Sequence, residues 1–231
     1  MWLTYGYYSY YMYMLPAILL VLFAQLLVSA RYNRVGKVPT YGRVTGKEVA
    51  EEILRQNGIT DVQVCQIAGK MTDHYHPTKK VINLSEGVYG STSVAAVGIA
   101  AHEAGHAVQH AKGYVPIKIR TALVPVCNLG ATLSFPLLIL GVVMNAFALV
   151  NIGLILFATA TVFQLVTLPV EFNASRRAMA FIKTSNLFSR DEISGARKVL
   201  TAAAFTYVAA LAQSVLQLLY YVMRFSGNRR R

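Results

Sequence analysis

Residues 121–170 read TALVPVCNLGATLSFPLLILGVVMNAFALVNIGLILFATATVFQLVTLPV, without a single Asp, Glu, Lys or Arg. One membrane-spanning helix needs about 20 apolar residues, so a charge-free run of this length is far too long for one helix. The run predicts a transmembrane hairpin, with spans at about residues 122–144 and 152–170 and a turn near residues 145–151.

Two further apolar segments lie outside this hairpin. Residues 15–30 (LPAILLVLFAQLLVSA) carry no charge, whereas residues 202–223 are interrupted by Gln213 and Gln217. Because no Lys or Arg precedes the first segment, it lacks the positive start of a cleaved signal peptide, and we expect residues 1–30 to be a retained anchor. With 55% hydrophobic and only 14% charged residues, the composition excludes a disordered chain and indicates an integral membrane protein.

The placement of lysine and arginine predicts which way the chain faces. Residues 31–120 contain 12 Lys and Arg against 7 Asp and Glu, and residues 171–201 contain 6 against 3. The positive-inside rule therefore places both regions on the cytoplasmic side. In so apolar a chain, the net charge of +12 indicates an anionic lipid surface rather than nucleic acid as partner. If residues 202–223 span the membrane, Arg224 and Arg229–Arg231 lie outside, against the same rule. The sequence therefore allows this segment either to span the membrane or to lie in the interface or re-enter.

Residues 31–120 are the stretch able to form a water-facing part of the protein, and their pattern is α+β. The predicted elements are a helix opened by the capping box Thr45–Glu48, strands at residues 61–67 and 80–84, and a helix from Ser91 or Ser93 to Gly113. A loop, DHYHP at residues 73–77, separates the two strands. The second strand could present an edge to an extended substrate.

The last of these helices contains His102-Glu103-Ala104-Gly105-His106, the pattern H-E-x-x-H. Side chains four residues apart share a helix face, so the two imidazoles can reach one zinc ion at about 2.0–2.1 Å. Glu103 lies one residue round the helix, where it can accept a proton from an activated water and pass it to a leaving amine. The surrounding helix is apolar, and polar groups buried there need partners, which metal ligation supplies.

A catalytic zinc site takes three protein ligands and keeps one position for water. We expect Glu171 to be the third ligand, because it is the first charge after the apolar hairpin and returns to the same face of the membrane as His102 and His106. Residues 171–178 (EFNASRRA) are predicted to be helical.

Four other side chains compete for the third position, namely His74, His76, Glu86 and His110. His110 lies eight residues from His102, which is about 12 Å along a helix and too far for one tetrahedral ion. His74 and His76 flank a turn in a loop, which favours polar surface residues over ligands. Glu86 is the second choice.

HEAGHAVQH is preceded in the sequence by DHYHP and INLS, and is followed across the hairpin by PVEFNASRRA. This combination resembles the YugP-type family of bacterial membrane zinc metallopeptidases, and the resemblance covers nearly the whole chain. It implies one zinc ion per chain, bound by His102 and His106, with Glu103 acting on the water.

A wider similarity connects the chain to membrane zinc proteases of the HtpX type. Their third ligand is a Glu on a later helix, which corresponds to Glu171 here. That Glu is typically followed four residues later by an Asp that supports a histidine ligand. In this chain Ser175 stands at that place, with Asn173 nearby, so the supporting contact departs from the pattern.

The sequence therefore predicts a mainly α, multi-span membrane protein with a small α+β, zincin-like protease core on the cytoplasmic side. The expected function is a zinc-dependent endopeptidase of the bacterial inner (plasma) membrane, with Glu103 as general base. Its partners would be the lipid bilayer and a polypeptide substrate, either a membrane protein or an unfolded one. Nucleic acid is not expected, and a homo-oligomer is left open.

Five regions follow from these assignments. They are an N-terminal transmembrane anchor (1–30), a cytoplasmic α+β part with the H-E-x-x-H helix (31–120), a transmembrane hairpin (121–170), a cytoplasmic helical segment with the third ligand (171–201), and a fourth apolar segment with a basic tail (202–231).

Two other functions compete with proteolysis. A non-catalytic membrane assembly protein with a structural zinc site would need a fourth protein ligand, from His74, Glu86 or His110. An ion path through the membrane would need ionisable residues inside the spans, and the hairpin and the first segment contain none.

Overall fold

The computed structural model describes residues 2–226, with side chains from residue 10 to residue 225. This part of the chain forms seven helices and one three-stranded sheet, as the mainly α prediction requires. In chain order the elements are α1 (Trp2–Val35), α2 (Gly46–Gln56), β1 (Gln63–Ile67), β2 (His74–His76), β3 (Val81–Ser85), α3 (Glu86–Tyr89), α4 (Val94–Ala111), α5 (Val115–Val143), α6 (Phe147–Thr184) and α7 (Arg190–Ser226). The basic tail Arg229–Arg231 lies outside the described residues.

Four helices, α1, α5, α6 and α7, are long and apolar enough to cross a membrane. Each of the four predicted apolar segments lies within one of them to within a residue, including the weaker segment at residues 202–223. Helix α6 has 38 residues, which is about 57 Å at 1.5 Å per residue, whereas a bilayer hydrocarbon core is about 30 Å thick. Helix α6 is therefore longer than one span, and it continues without a break through Glu171 to Thr184.

The turn between α5 and α6 is shorter than the predicted residues 145–151. Helix α5 ends at Val143, Asn145 has a φ of 51°, and the Ala146 N–H donates to the Gly141 carbonyl at 2.8 Å. A residue of positive φ followed by this backbone hydrogen bond is a Schellman-type helix end, and asparagine tolerates that conformation. Residues 147–151 already belong to α6, so the chain turns around Asn145, at the start of the predicted region.

The chain divides into two compact units. The first is built from helical stretches of α1, α5, α6 and α7. The second combines residues Gln25–Lys118 with Pro169–Phe205 and contains α2, α3, α4 and the whole sheet. Both predicted histidine ligands and Glu171 belong to this second unit, although the apolar hairpin separates them in the sequence.

The sheet has the strand order β1-β3-β2. Strand β3 pairs parallel with β1 and antiparallel with β2, and its Ile82 and Leu84 are buried in the core. The prediction that β3 offers an edge to substrate is therefore wrong, because β3 is the central strand. The edge on that side belongs to β2, a three-residue strand in the stretch predicted to be a loop.

Helix caps formed as the sequence predicted. Thr45 and Glu48 make the reciprocal capping box of α2, and the Ser93 hydroxyl accepts the Ala96 N–H at 3.2 Å at the start of α4. Ser93, rather than Ser91, is thus the N-cap of the helix that carries the H-E-x-x-H motif.

Helix α4 lies in the core of the second unit and is lined by small residues. Ala100, Ala101 and Ala104 are fully buried. At Gly105, a Cβ atom would lie 2.8 Å from the backbone oxygen of Ala174 in α6. Because such a contact is shorter than real Cβ atoms tolerate, glycine is what allows the backbones of α4 and α6 to approach this closely.

Candidate metal centre

The two histidines of the motif lie side by side on α4. His102 and His106 are one helical turn apart, and their ring centroids are 4.7 Å apart with the rings nearly perpendicular. His106 is 7% exposed, because its face of the helix packs into the core. The spacing of four residues thus places both imidazoles on one buried face, as the sequence predicted.

Glu171 of α6 meets both imidazoles. Its Oε2 atom lies 3.1 Å from His102 Nε2 and 3.5 Å from His106 Nε2, and the residue is 2% exposed. The three candidate ligand atoms all lie within 4.8 Å of one another. Two imidazole nitrogens and one carboxylate oxygen are a donor set that zinc uses in catalytic sites, so these residues fit the metal.

Each histidine has a partner on its other ring nitrogen. His102 Nδ1 lies 3.1 Å from the Ser175 hydroxyl, at the place where the wider similarity predicted an Asp. His106 Nδ1 lies 3.0 Å from Gln109 Oε1. The sequence prediction named Ser175 as that place but missed Gln109, because its burial depends on how closely α6 approaches α4.

Two nearby carboxylates act on His106. Burial opposes the charged imidazole, but the hydrogen bond to Glu171 and the negative charges of Glu171 and Glu103 outweigh burial and raise the pKa of His106. The region around the two rings therefore favours positive charge, which a divalent cation would supply.

The carboxylate of Glu103 is fixed by strand β2. Its Oε2 atom accepts the backbone N–H of Tyr75 at 2.9 Å, and the residue is 9% exposed. The edge strand that the sequence did not predict thus orients the side chain expected to act as base.

The competing ligand candidates have other partners. His74 Nε2 lies 3.0 Å from the Asn83 amide, His76 Nδ1 accepts the Lys79 N–H, and His110 Nδ1 lies 3.2 Å from the Tyr75 hydroxyl. Glu86 is exposed on α3. Among residues 10–225, whose side chains the structure describes, none of these four belongs to the group formed by His102, His106 and Glu171.

Known proteins are similar to this chain over nearly its whole length. A family model described as "Putative neutral zinc metallopeptidase" matches residues 10–226. The chain is 43% identical over 216 residues to "Putative membrane protease YugP" of Bacillus subtilis (strain 168), which covers 93% of this chain and 96% of that protein. No solved structure matches the chain. With nearly its whole length matched, the chain belongs to the neutral zinc metallopeptidase family.

Proposed function

We propose that the protein is a membrane-embedded, zinc-dependent endopeptidase that hydrolyses peptide bonds of protein substrates. The observation that carries the proposal is the meeting of His102, His106 and Glu171 within 4.8 Å, on a buried helix that also carries Glu103. Two imidazoles and a carboxylate are costly to bury in an apolar core unless they have partners, and a bound cation would be a partner for all three.

His102, His106 and Glu171 would hold one zinc ion per chain. Zinc bound by three protein ligands supplies polarisation of a carbonyl and lowers the pKa of a water to about 7. The buried location excludes bulk water from the ligand side, which strengthens the attraction between the carboxylate and the cation.

Glu103 would act as the general base. Its carboxylate accepts a proton from the attacking water and returns it to the leaving amine. The Tyr75 N–H donates to Oε2 of Glu103 and so holds the side chain in one orientation. The other carboxylate oxygen would then accept the proton of the water. A base in a fixed orientation loses less entropy when the reacting groups come together.

An extended polypeptide would lie along β2 rather than β3. Strand β2 is an edge of the sheet, and its Tyr75 contacts Glu103. Substrate added as a further strand would be read through its backbone, so sequence selectivity would be low. This fits substrates that are unfolded or membrane proteins with locally extended segments.

The active site would face the cytoplasm of a bacterial cell whose inner membrane holds the protein. The excess of Lys and Arg in residues 31–120 and 171–201 supports this orientation through the positive-inside rule.

The test is made on the full chain purified in detergent. We expect one zinc per chain and cleavage of an unfolded casein-like substrate. Glu103→Gln should keep the zinc and lower the cleavage rate by about 100-fold or more, because the base is removed while the ligands stay. Glu86→Gln is the matched control, since Glu86 is exposed and outside the ligand group, and it should keep both properties. A Glu103→Gln variant that cleaves like the parent protein would overturn the proposal.

A further inference from the structure

Gln109 is completely buried, although glutamine is a residue that usually stays in contact with water. It is 0% exposed and lies on α4, three residues beyond His106. Its Oε1 atom lies 3.0 Å from His106 Nδ1, on the side of the ring away from Glu171. A buried amide has to satisfy both its oxygen and its NH₂ group, so the partners of Gln109 reveal what it does.

The amide of Gln109 has one possible orientation. Its Nε2 atom donates to the Val170 carbonyl at 2.7 Å and to Asn173 Oδ1 at 3.0 Å. A backbone carbonyl cannot donate, so the atom facing Val170 must be the NH₂ group. The amide of Asn173 is oriented in the same way. The Arg177 Nε–H can only donate, so the Asn173 atom that it contacts at 2.8 Å must be the oxygen, Oδ1.

This orientation determines which nitrogen of His106 carries a proton. Because the NH₂ group of Gln109 faces α6, its oxygen must face His106 Nδ1. An oxygen accepts, so Nδ1 must donate and therefore carries the hydrogen. In a neutral imidazole the lone pair is then on Nε2, which is the atom 3.5 Å from Glu171 Oε2 and the atom available to a metal.

His102 lacks a contact of this kind. Its Nδ1 atom lies 3.1 Å from the Ser175 hydroxyl, and a hydroxyl can either donate or accept. The Ser175 contact is therefore compatible with both tautomers of His102. The Gln109 contact is compatible with one tautomer of His106.

We propose that Gln109 is a positioning residue that holds His106 in the tautomer with Nδ1 protonated and so presents the Nε2 lone pair to the metal. The anchors of Gln109, Val170 and Asn173, lie on either side of Glu171 in α6, so one side chain links the position of His106 to that of the third ligand. The inference rests on the metal site of the proposed function, but not on peptide cleavage.

Zinc affinity of the full chain in detergent tests this role, measured by competition with a chromogenic chelator. Gln109→Met removes the acceptor for Nδ1–H at similar volume, and we expect about 10- to 100-fold weaker zinc binding. Gln109→Glu keeps an acceptor at that place but alters the group that faces Val170. We expect it to bind zinc within about threefold of the parent while its thermal stability falls. Gln66→Met, at an exposed glutamine of β1, is the control and should change neither.

The split between affinity and stability separates positioning from simple packing. If Gln109 were merely a packing bridge to α6, the Glu and Met variants would lose zinc affinity alike, and that result would overturn the proposal. Parental zinc affinity in Gln109→Met would overturn it as well.

A measurement on the unmodified sequence covers the case in which Gln109→Met does not fold. In the zinc-loaded protein labelled with ¹⁵N-histidine, we expect the His106 ring proton on Nδ1, exchanging slowly with water. A proton on Nε2, or exchange as fast as that of an exposed imidazole, would contradict the assignment. Zinc binding with these results but without cleavage would refute the proposed peptidase and leave the role of Gln109 intact.

Discussion

Glu171 is the single charged ligand in the candidate metal site, and it comes from a different helix than the two histidines. Replacing it by Gln keeps the volume and removes the negative charge that lies 3.1 Å from His102 Nε2. Replacing a residue that supports a metal ligand typically lowers metal affinity by about 10- to 100-fold. We expect Glu171→Gln to lower zinc affinity by more than this, as measured by competition with a chelator. Unchanged zinc affinity would remove Glu171 from the ligand set.

Ser175 allows an experiment that adds a contact. Ser175→Asp would place a carboxylate beside His102 Nδ1, where the serine hydroxyl now lies at 3.1 Å. Because hydrogen bonds to a charged acceptor are roughly twice as strong as neutral ones, we expect zinc to bind about threefold or more tightly. Ser175→Asn supplies a neutral side chain of similar size as the control. Equal affinities in the Asp and Asn variants would contradict an electrostatic effect.

At this scale the sequence named the three residues that the structure brings together, but it did not name all of the side chains that support them. The spacing of His102 and His106 is a local helical property, and Glu171 was inferred from its place after the hairpin. Gln109 could not be assigned in this way, because its burial depends on how closely α6 approaches α4. A glutamine in a helix is usually exposed, so its pattern alone carried no signal.

Among the helices and strands, the crossing of α4 and α6 is the contact that brings the ligands together. Gly105→Ala would place a Cβ 2.8 Å from the Ala174 backbone oxygen, and backbone atoms cannot move aside as a flexible side chain could. We expect a loss of about 1–3 kcal/mol in unfolding free energy, seen as a lower Tm in detergent, together with weaker zinc binding.

Gly98 of the same helix provides the matched control. A Cβ there would meet the Ala196 side chain at 3.7 Å, which is ordinary van der Waals contact. Because alanine favours helix over glycine by about 0.5–1 kcal/mol, Gly98→Ala should leave Tm unchanged or raise it. A Gly105→Ala variant as stable as Gly98→Ala would mean that the close approach of α4 and α6 is unimportant.

Elements with strong local signals were predicted, and those created by pairing were not. The capping box of α2 and the Ser93 cap of α4 are contacts within one turn, so the sequence specifies them directly. Strand β2 has three residues followed by a proline, too few for an alternating pattern to register. Its strand conformation comes from pairing with β3, and so does the central place of β3 in the sheet.

For the molecule as a whole, the orientation in the membrane can be tested with cysteines. Cys65 of β1 is partly exposed and belongs to the part expected in the cytoplasm. In a Cys127→Ala background, a membrane-impermeant maleimide should leave Cys65 unlabelled in intact bacterial cells and label it after lysis. Met144 lies in the α5–α6 turn, is 65% exposed and is expected on the outer side of the membrane. A Met144→Cys variant that lacks both Cys65 and Cys127 should therefore be labelled in intact cells. The reverse pattern would invert the orientation.

Hydropathy gave the number of apolar helices correctly, because a long charge-free stretch has few alternatives to spanning a membrane. Their ends were harder to place. The loss of apolar character after residue 170 suggested a boundary, whereas the backbone of α6 continues as a helix to Thr184. A helix satisfies its backbone hydrogen bonds within itself in lipid and in water alike, so a change in composition need not end it. The five predicted regions remain a prediction.

The order in which the candidate ligands occur along the chain determines when, during synthesis, the set becomes complete. His102 and His106 emerge from the ribosome well before Glu171, and the whole apolar hairpin is made between them. A nascent chain in which residue 171 has not yet been translated contains His102 and His106 but lacks the Glu171 carboxylate, the third candidate ligand. Under the proposed function, an incomplete or prematurely terminated chain would be unable to attack its neighbours, so competence to cleave would begin only after the hairpin has been translated.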